Sequence, residues 1–205
     1  MERSPGASGV ALSADGTRIA WSRQGSGSPI VIVSPLLTDR SSSNTRVLAD
    51  LLSENHTVYT YDRRGVGESG TGEEYTAESD VDDLLAVVAV AGGSASLYGF
   101  SSGAFLALRA AEESAVITRV VALEPTLTPD EGEDELLLLQ TELEGLGGVQ
   151  VPVLVLAGST SGDETQDLAR RAADALDEGE FQLLEGDTRS VPDAALADAI
   201  ESFLD

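Results

Sequence analysis

The chain has 205 residues, 41% of them hydrophobic, which is enough for one domain with a sizeable core. Asp and Glu number 36 against 12 basic residues, every one an arginine, and the formal net charge is −24. Such a surface repels phosphate backbones and anionic lipid, so nucleic acid and membranes are not expected as partners.

With no cysteine and no lysine, disulfides, thiolate catalysis, thiolate metal sites and lysine chemistry are excluded. No apolar run reaches the roughly 18 residues of a membrane span. Met1–Gly9 is polar and Gly/Ser-rich, without the apolar core of a signal peptide. A cytoplasmic protein is therefore expected. The acidity fits a halophile and equally a GC-rich genome that encodes Arg in preference to Lys.

In chain order, Asp15-Gly16 between Ala11–Ser13 and Arg18–Trp21 is a hairpin signal. Strands are predicted at Arg18–Arg23, Ile30–Val33, Thr57–Tyr61, Ser94–Tyr98, Arg119–Leu123, Val153–Ala157 and Phe181–Leu184. Helices are predicted at Thr45–Ser53, Ala77–Ala91, Ser102–Glu113, Glu133–Leu146, Glu164–Leu176 and Asp193–Phe203, the last with Pro192 at its first turn. Strands alternating with helices predict an α/β fold, with a mostly parallel sheet and helices on both faces behind an antiparallel hairpin. Neither repeats nor long linkers interrupt residues 1–205, read as a single domain.

The strand Ser94–Tyr98 runs into Gly99-Phe100-Ser101-Ser102-Gly103 and then a helix. This is G-x-S-x-G in its meaningful context. The sharp strand-to-helix turn strains the serine backbone, the flanking glycines relieve crowding, and the helix N-terminus faces the place where an oxyanion would form. A structural turn with a chance serine is the plainer alternative.

At this point the chain resembles the α/β-hydrolase family. Asp15-Gly16-Thr17-Arg18-Ile19-Ala20 looks like its opening hairpin, and Tyr59 to Ser69, containing Asp62-Arg63-Arg64-Gly65-Val66-Gly67-Glu68-Ser69, looks like its D-x-R-G-x-G-x-S turn. Val151–Gly158 is similar to the strand before the usual acid loop, and Ala194–Leu204 to the closing helix. The resemblance implies an α/β-hydrolase fold with Ser101 as nucleophile. It places the oxyanion donors at Ser102 and Leu36, Ser34 and Phe100 in the pocket, and the acid at Glu124 or Asp163, of which Glu124 is preferred. Asp163 can equally be a helix cap, and Asp62 is read as a structural turn residue.

Three departures stand out. Where the family carries a histidine after its last strand, this chain reads Glu185-Gly186-Asp187-Thr188-Arg189-Ser190, with Arg189 in the histidine position. Arginine stays protonated and offers no acceptor nitrogen, so it cannot activate Ser101. The single histidine, His56, precedes the strand Thr57–Tyr61 at the wrong end for a site and is expected to be an exposed loop residue. After Ile30–Val33 the family's His-Gly is replaced by Ser34-Pro35, and Pro35 donates no hydrogen bond. Finally, the lid is minimal, at about residues 125–150. Leu136–Leu139 are expected over the pocket and the acidic residues 131 and 133–135 on a solvated face. This leaves the pocket open or closed by a second copy of the chain, a homodimer.

Three functions follow. The first is an enzyme with non-hydrolytic chemistry (cyclisation, isomerisation or elimination) on a small apolar or polyketide-like molecule. Ser101 and the N–H groups would bind a polarised carbonyl, Arg189 would stabilise negative charge or grip a carboxylate, and Glu124 or Asp187 would act as base. The second is a weak ester or thioester hydrolase, and the third an inert binding protein. No metal and no cofactor are expected.

Overall fold

The computed structural model describes residues 6–73, 75–126, 145–187 and 193–205. Eight strands form one sheet: β1 (Ala7–Leu12), β2 (Arg18–Gly25), β3 (Pro29–Val33), β4 (Thr57–Tyr61), β5 (Ala95–Phe100), β6 (Ile117–Leu123), β7 (Val153–Gly158) and β8 (Gly179–Leu184). Their spatial order is β1-β2-β4-β3-β5-β6-β7-β8. The pairs β1–β2 and β2–β4 are antiparallel, and every later pair is parallel. The helices among the described residues are α1 (Ser43–Leu52), α2 (Ala77–Val90), α3 (Ser102–Glu113), α4 (Asp163–Asp174) and α5 (Asp193–Leu204). None is long and apolar enough to cross a membrane.

The strands read as continuous apolar runs because helices cover both faces. Alternation then sorts each strand between two cores. Val31, Val33 and Leu97 pack with Leu84 and Val87 of α2, with Ala107 of α3 and with Ala172 of α4. Ile30, Ile32 and Tyr98 pack with Leu48 and Leu52 of α1 and with Leu196 and Ile200 of α5. Chain order reverses at β3, since the connection through α1 leads to β4 on one side and the connection through α2 to β5 on the other. Ligands of open α/β sheets bind at such a switch point, outside the carboxyl ends of the strands.

The opening hairpin forms as expected. Gly16 takes a left-handed φ of 83°, and the Thr17 N–H donates to Asp15 Oδ1 at 2.8 Å. Its first strand starts at Ala7, inside the segment read as a polar tail. Pairing with β2 from Ala7↔Arg23 to Leu12↔Arg18 fixes it, although much of its surface is exposed. Most other strands gain a residue or two, because ladder hydrogen bonds extend past the apolar run. The helix predicted at Glu133–Leu146 and the lid residues Leu136–Leu139 lie outside the described residues, apart from a single 3₁₀ turn at Leu146–Gly148.

Behind the switch point, the turn after β4 is held by buried charge. Asp62, 1% exposed, accepts from the Arg40 N–H at 2.8 Å and the Glu68 N–H at 2.9 Å and pairs with the Arg40 guanidinium. Its structural reading is consistent with these contacts. Arg63 pairs with Asp80 of α2, and Arg64 with Asp83 through two 2.8 Å bonds. Burial works against the charge on Arg63, but the Asp80 carboxylate more than offsets it and holds the guanidinium protonated more firmly than usual. Removing Asp83 takes away the buried partner of Arg64 but leaves it Asp15 at 3.1 Å and the Ser79 carbonyl at 2.9 Å. Asp83→Ala is therefore expected to lower stability by about 2–3 kcal/mol, short of the full loss for an uncompensated buried charge, read from the urea midpoint. A loss below about 1 kcal/mol would show the Arg64–Asp83 pair to be dispensable.

Candidate active site

Three non-glycine residues have left-handed backbones: Leu37 (φ 65°), Ser101 (φ 54°) and Glu124 (φ 44°). They lie just beyond the carboxyl ends of β3, β5 and β6, three neighbouring strands. Such conformations cost about 1–3 kcal/mol each and persist only where the surroundings impose them. Here they draw the candidate side chains together.

Ser101 sits between β5 and α3 with φ 54° and ψ −125°. Its N–H donates to the Leu123 carbonyl at 3.0 Å, which locks the turn onto β6. Glycine is required on both sides. A Cβ on Gly99 would lie 2.4 Å from the Gly103 carbonyl oxygen, and one on Gly103 would lie 2.2 Å from that of Val33. Ser102 opens α3, so its N–H belongs to the first turn, where no intrahelical acceptor exists. The Leu36 N–H donates to the Ser102 Oγ at 3.0 Å, which brings the two expected oxyanion donors to one place. Pro35 does not prevent this. Ser34 is buried, its hydroxyl 3.2 Å from Thr45 Oγ1 of α1, and Phe100 is half-buried against the α1–α5 core.

Glu124 is 2% exposed. Its N–H donates to the Leu156 carbonyl at 2.8 Å, while its Oε1 accepts from the Gly158 N–H at 2.8 Å and from the Ser161 hydroxyl. This carboxylate ties the end of β6 to the loop after β7. The same loop meets the segment after β8, where the Thr160 N–H donates to the Gly186 carbonyl at 2.8 Å. A Cβ on Gly158 would lie 2.7 Å from the Asp187 Cα, so Asp187 is packed over the tip of β7, half-buried. Arg189 lies outside the described residues. Asp163 is the exposed first residue of α4; the cap is Gly162, and no side-chain capping bond is made, so the cap reading is corrected.

Two residues passed over in the sequence belong to this group. The left-handed turn at Glu124 swings the chain back, and Thr126 Oγ1 lies 2.7 Å from Ser101 Oγ. Ser161 bonds Glu124 as described. Nothing in the sequence reports the backbone turn that makes these contacts.

His56 is at the amino end of β4, the opposite end of the sheet, as expected. It is not exposed, however, since only 8% of its surface is accessible. Its N–H closes the last turn of α1 on the Leu52 carbonyl at 2.9 Å, which draws the ring inward.

A mostly parallel sheet in this strand order, with a strained serine between β5 and the helix after it, defines a hydrolase-type α/β protein. The chain belongs to the alpha/beta hydrolase family, whose model matches residues 30–204. Among solved structures, an alpha/beta hydrolase from Sphaerobacter thermophilus is 28% identical over 96% of this chain and 100% of that one, with a TM-score of 0.81. The enol-lactonase from Burkholderia xenovorans is 20% identical over 96% and 99%, with a TM-score of 0.77. The thioesterase domain from the curacin biosynthetic pathway is 16% identical over 97% and 100%, with a TM-score of 0.78. No curated protein sequence matches the chain.

The strain at Ser101 can be measured by comparing two variants that both lack the hydroxyl. Ser101→Gly is expected to be more stable than Ser101→Ala by about 1 kcal/mol or more, because glycine adopts this backbone freely. Equal urea midpoints for the two would mean that the elbow is unstrained.

Proposed function

We propose that this chain is an enzyme that binds a small carbonyl compound at Ser101 and transforms it without a hydrolytic acyl-enzyme cycle, by cyclisation, isomerisation or elimination. The observation that carries the reading is the partner of Ser101. Its hydroxyl bonds to the Thr126 hydroxyl, which cannot take up its proton, and the one histidine in the sequence lies at the other end of the sheet. An unactivated serine is a poor nucleophile at neutral pH, and loss of the base removes most of a triad's rate. The same hydroxyl remains a good hydrogen-bond donor.

In this reading Ser101, the Ser102 N–H and the Leu36 N–H hold a carbonyl oxygen and the negative charge that develops on it. A turn of the Ser102 side chain frees the Leu36 N–H for this. Arg189 adds a fixed positive charge. Asp187 moves the proton, while Glu124, with two donors on one oxygen, holds the ends of β6 and β7 in place. Small-molecule biosynthesis suits such chemistry, and the substrate is a compact apolar or polyketide-like molecule. An inert ligand-binding protein is the second reading, favoured by the same Ser101–Thr126 bond.

The test is labelling by a fluorophosphonate, which phosphonylates only an activated serine. The purified chain is expected not to label. Arg189→His is expected to gain labelling at Ser101, because it returns a base to a site that keeps its serine and its acid. Labelling of the unaltered chain, abolished in Ser101→Ala, would overturn the proposal in favour of an unusual hydrolase.

A further inference from the structure

Beside the elbow, on the face covered by α1 and α5, a cavity of about 140 Å³ opens between the amino ends of those helices and the carboxyl ends of β3, β5 and β6. Leu48, Leu123, Leu196 and Phe100 are among its apolar walls, and Tyr98, Asp193, Asn44, Ser34 and Thr45 form its polar side, the last two bonded to each other. We infer that this cavity is a binding site for a compact, uncharged ring carrying a hydroxyl group, a phenol-like ligand.

Size comes first. The volume is close to the roughly 150 Å³ of an engineered protein cavity that takes up benzene. The apolar walls therefore suit one ring and little more.

The polar side selects what the ring carries. Tyr98 is 5% exposed, yet its hydroxyl has no hydrogen-bond partner among the described residues. That hydroxyl is therefore available to bond a molecule held in the cavity. Burial, then the charges of Asp193 and Glu124, push the phenol far above its usual range, so it stays protonated and donates. Asp193, whose field reaches that phenol, can only accept when ionised. With Ser34 and Thr45 bonded to each other, Tyr98 as donor and Asp193 as acceptor, beside Asn44, match a group that both accepts and donates, and a hydroxyl does so with a single oxygen. A carboxylate would meet Asp193 and Glu124 as like charges. A purely apolar ring would leave the Tyr98 hydroxyl unpaired. Part of the apolar wall adjoins the elbow, since Phe100 directly precedes Ser101.

Binding here requires no reaction at Ser101, so the inference stands apart from the proposed chemistry. The test uses the whole chain labelled with fluorotyrosine. The sequence has four tyrosines, and Tyr98→Phe identifies the Tyr98 resonance by its loss. Phenol is expected to shift that resonance saturably. Toluene and benzoate are each expected to bind at least several-fold more weakly. Asp193→Asn is expected to weaken phenol about tenfold, as for loss of a hydrogen bond to a charged group. The absence of a saturable shift at Tyr98 would overturn the inference. So would toluene or benzoate binding as well as phenol, which would leave only a greasy or water-filled void. If Asp193→Asn does not fold, the comparison of the three probes on the unaltered chain decides.

Discussion

How closely α3 approaches the sheet determines the geometry of everything at its carboxyl edge. Only hydrogen atoms fit at Gly99 and Gly103, where any larger group would strike backbone within 2.4 Å. With those two positions bare, the helix starts directly over β3 and β5, and the single residue between strand and helix must reverse the chain in a left-handed conformation. Ser101 is that residue. Its strain is the consequence of a packing constraint, and its exposure at the head of the helix follows from the same constraint. The N–H groups of Leu36 and Ser102 are placed by it too, because Leu36 reaches Ser102 only if α3 begins there.

Glu124 illustrates how a carboxylate at the edge of the sheet can serve as framework. In a triad the acid orients an imidazole. Here its Oε1 is occupied by the Gly158 N–H and the Ser161 hydroxyl, so the carboxylate joins two strand ends whatever stands in the histidine position. A buried carboxylate of this kind resists removal for structural reasons alone. Its presence is thus weak evidence of catalysis. The strain at Ser101 is stronger evidence, because glycine would fold more easily at that position and serine costs stability there.

What could be read from the sequence follows the range of the interactions involved. The parallel sheet, the hairpin and the elbow announce themselves through local patterns: apolar runs, Asp15-Gly16, and glycines at fixed offsets around Ser101. Long-range pairing does not. The edge strand β1 exists because β2 lies beside it, and the polar residues Asp80 and Asp83 are buried in α2 because Arg63 and Arg64 arrive from the turn after β4. Charge alone would place both acids in water, although their spacing from Leu84 and Val87 puts them beside the apolar face of the helix. His56 is misjudged for a similar reason, since a histidine in a polar stretch reads as loop until the last turn of α1 is seen to close on it. Thr126 is the most consequential omission. Its contact with Ser101 requires a positive φ at Glu124, and no residue type at that position signals it.

The arginines carry the argument about charge further. Arg40, Arg63 and Arg64 are each paired with carboxylates inside the fold. Arg119 donates to the Leu204 carbonyl, and Arg170 lies 4.4 Å over the Phe181 ring. Much of the scarce positive charge is therefore used in holding elements together, against a total of 36 acids and a net charge of −24. A field of that sign raises the local concentration of cations and depresses that of anions. Near the elbow, Asp187, Asp193 and Glu124 add to it. A small molecule approaching that edge of the sheet is thus favoured when it carries no net negative charge.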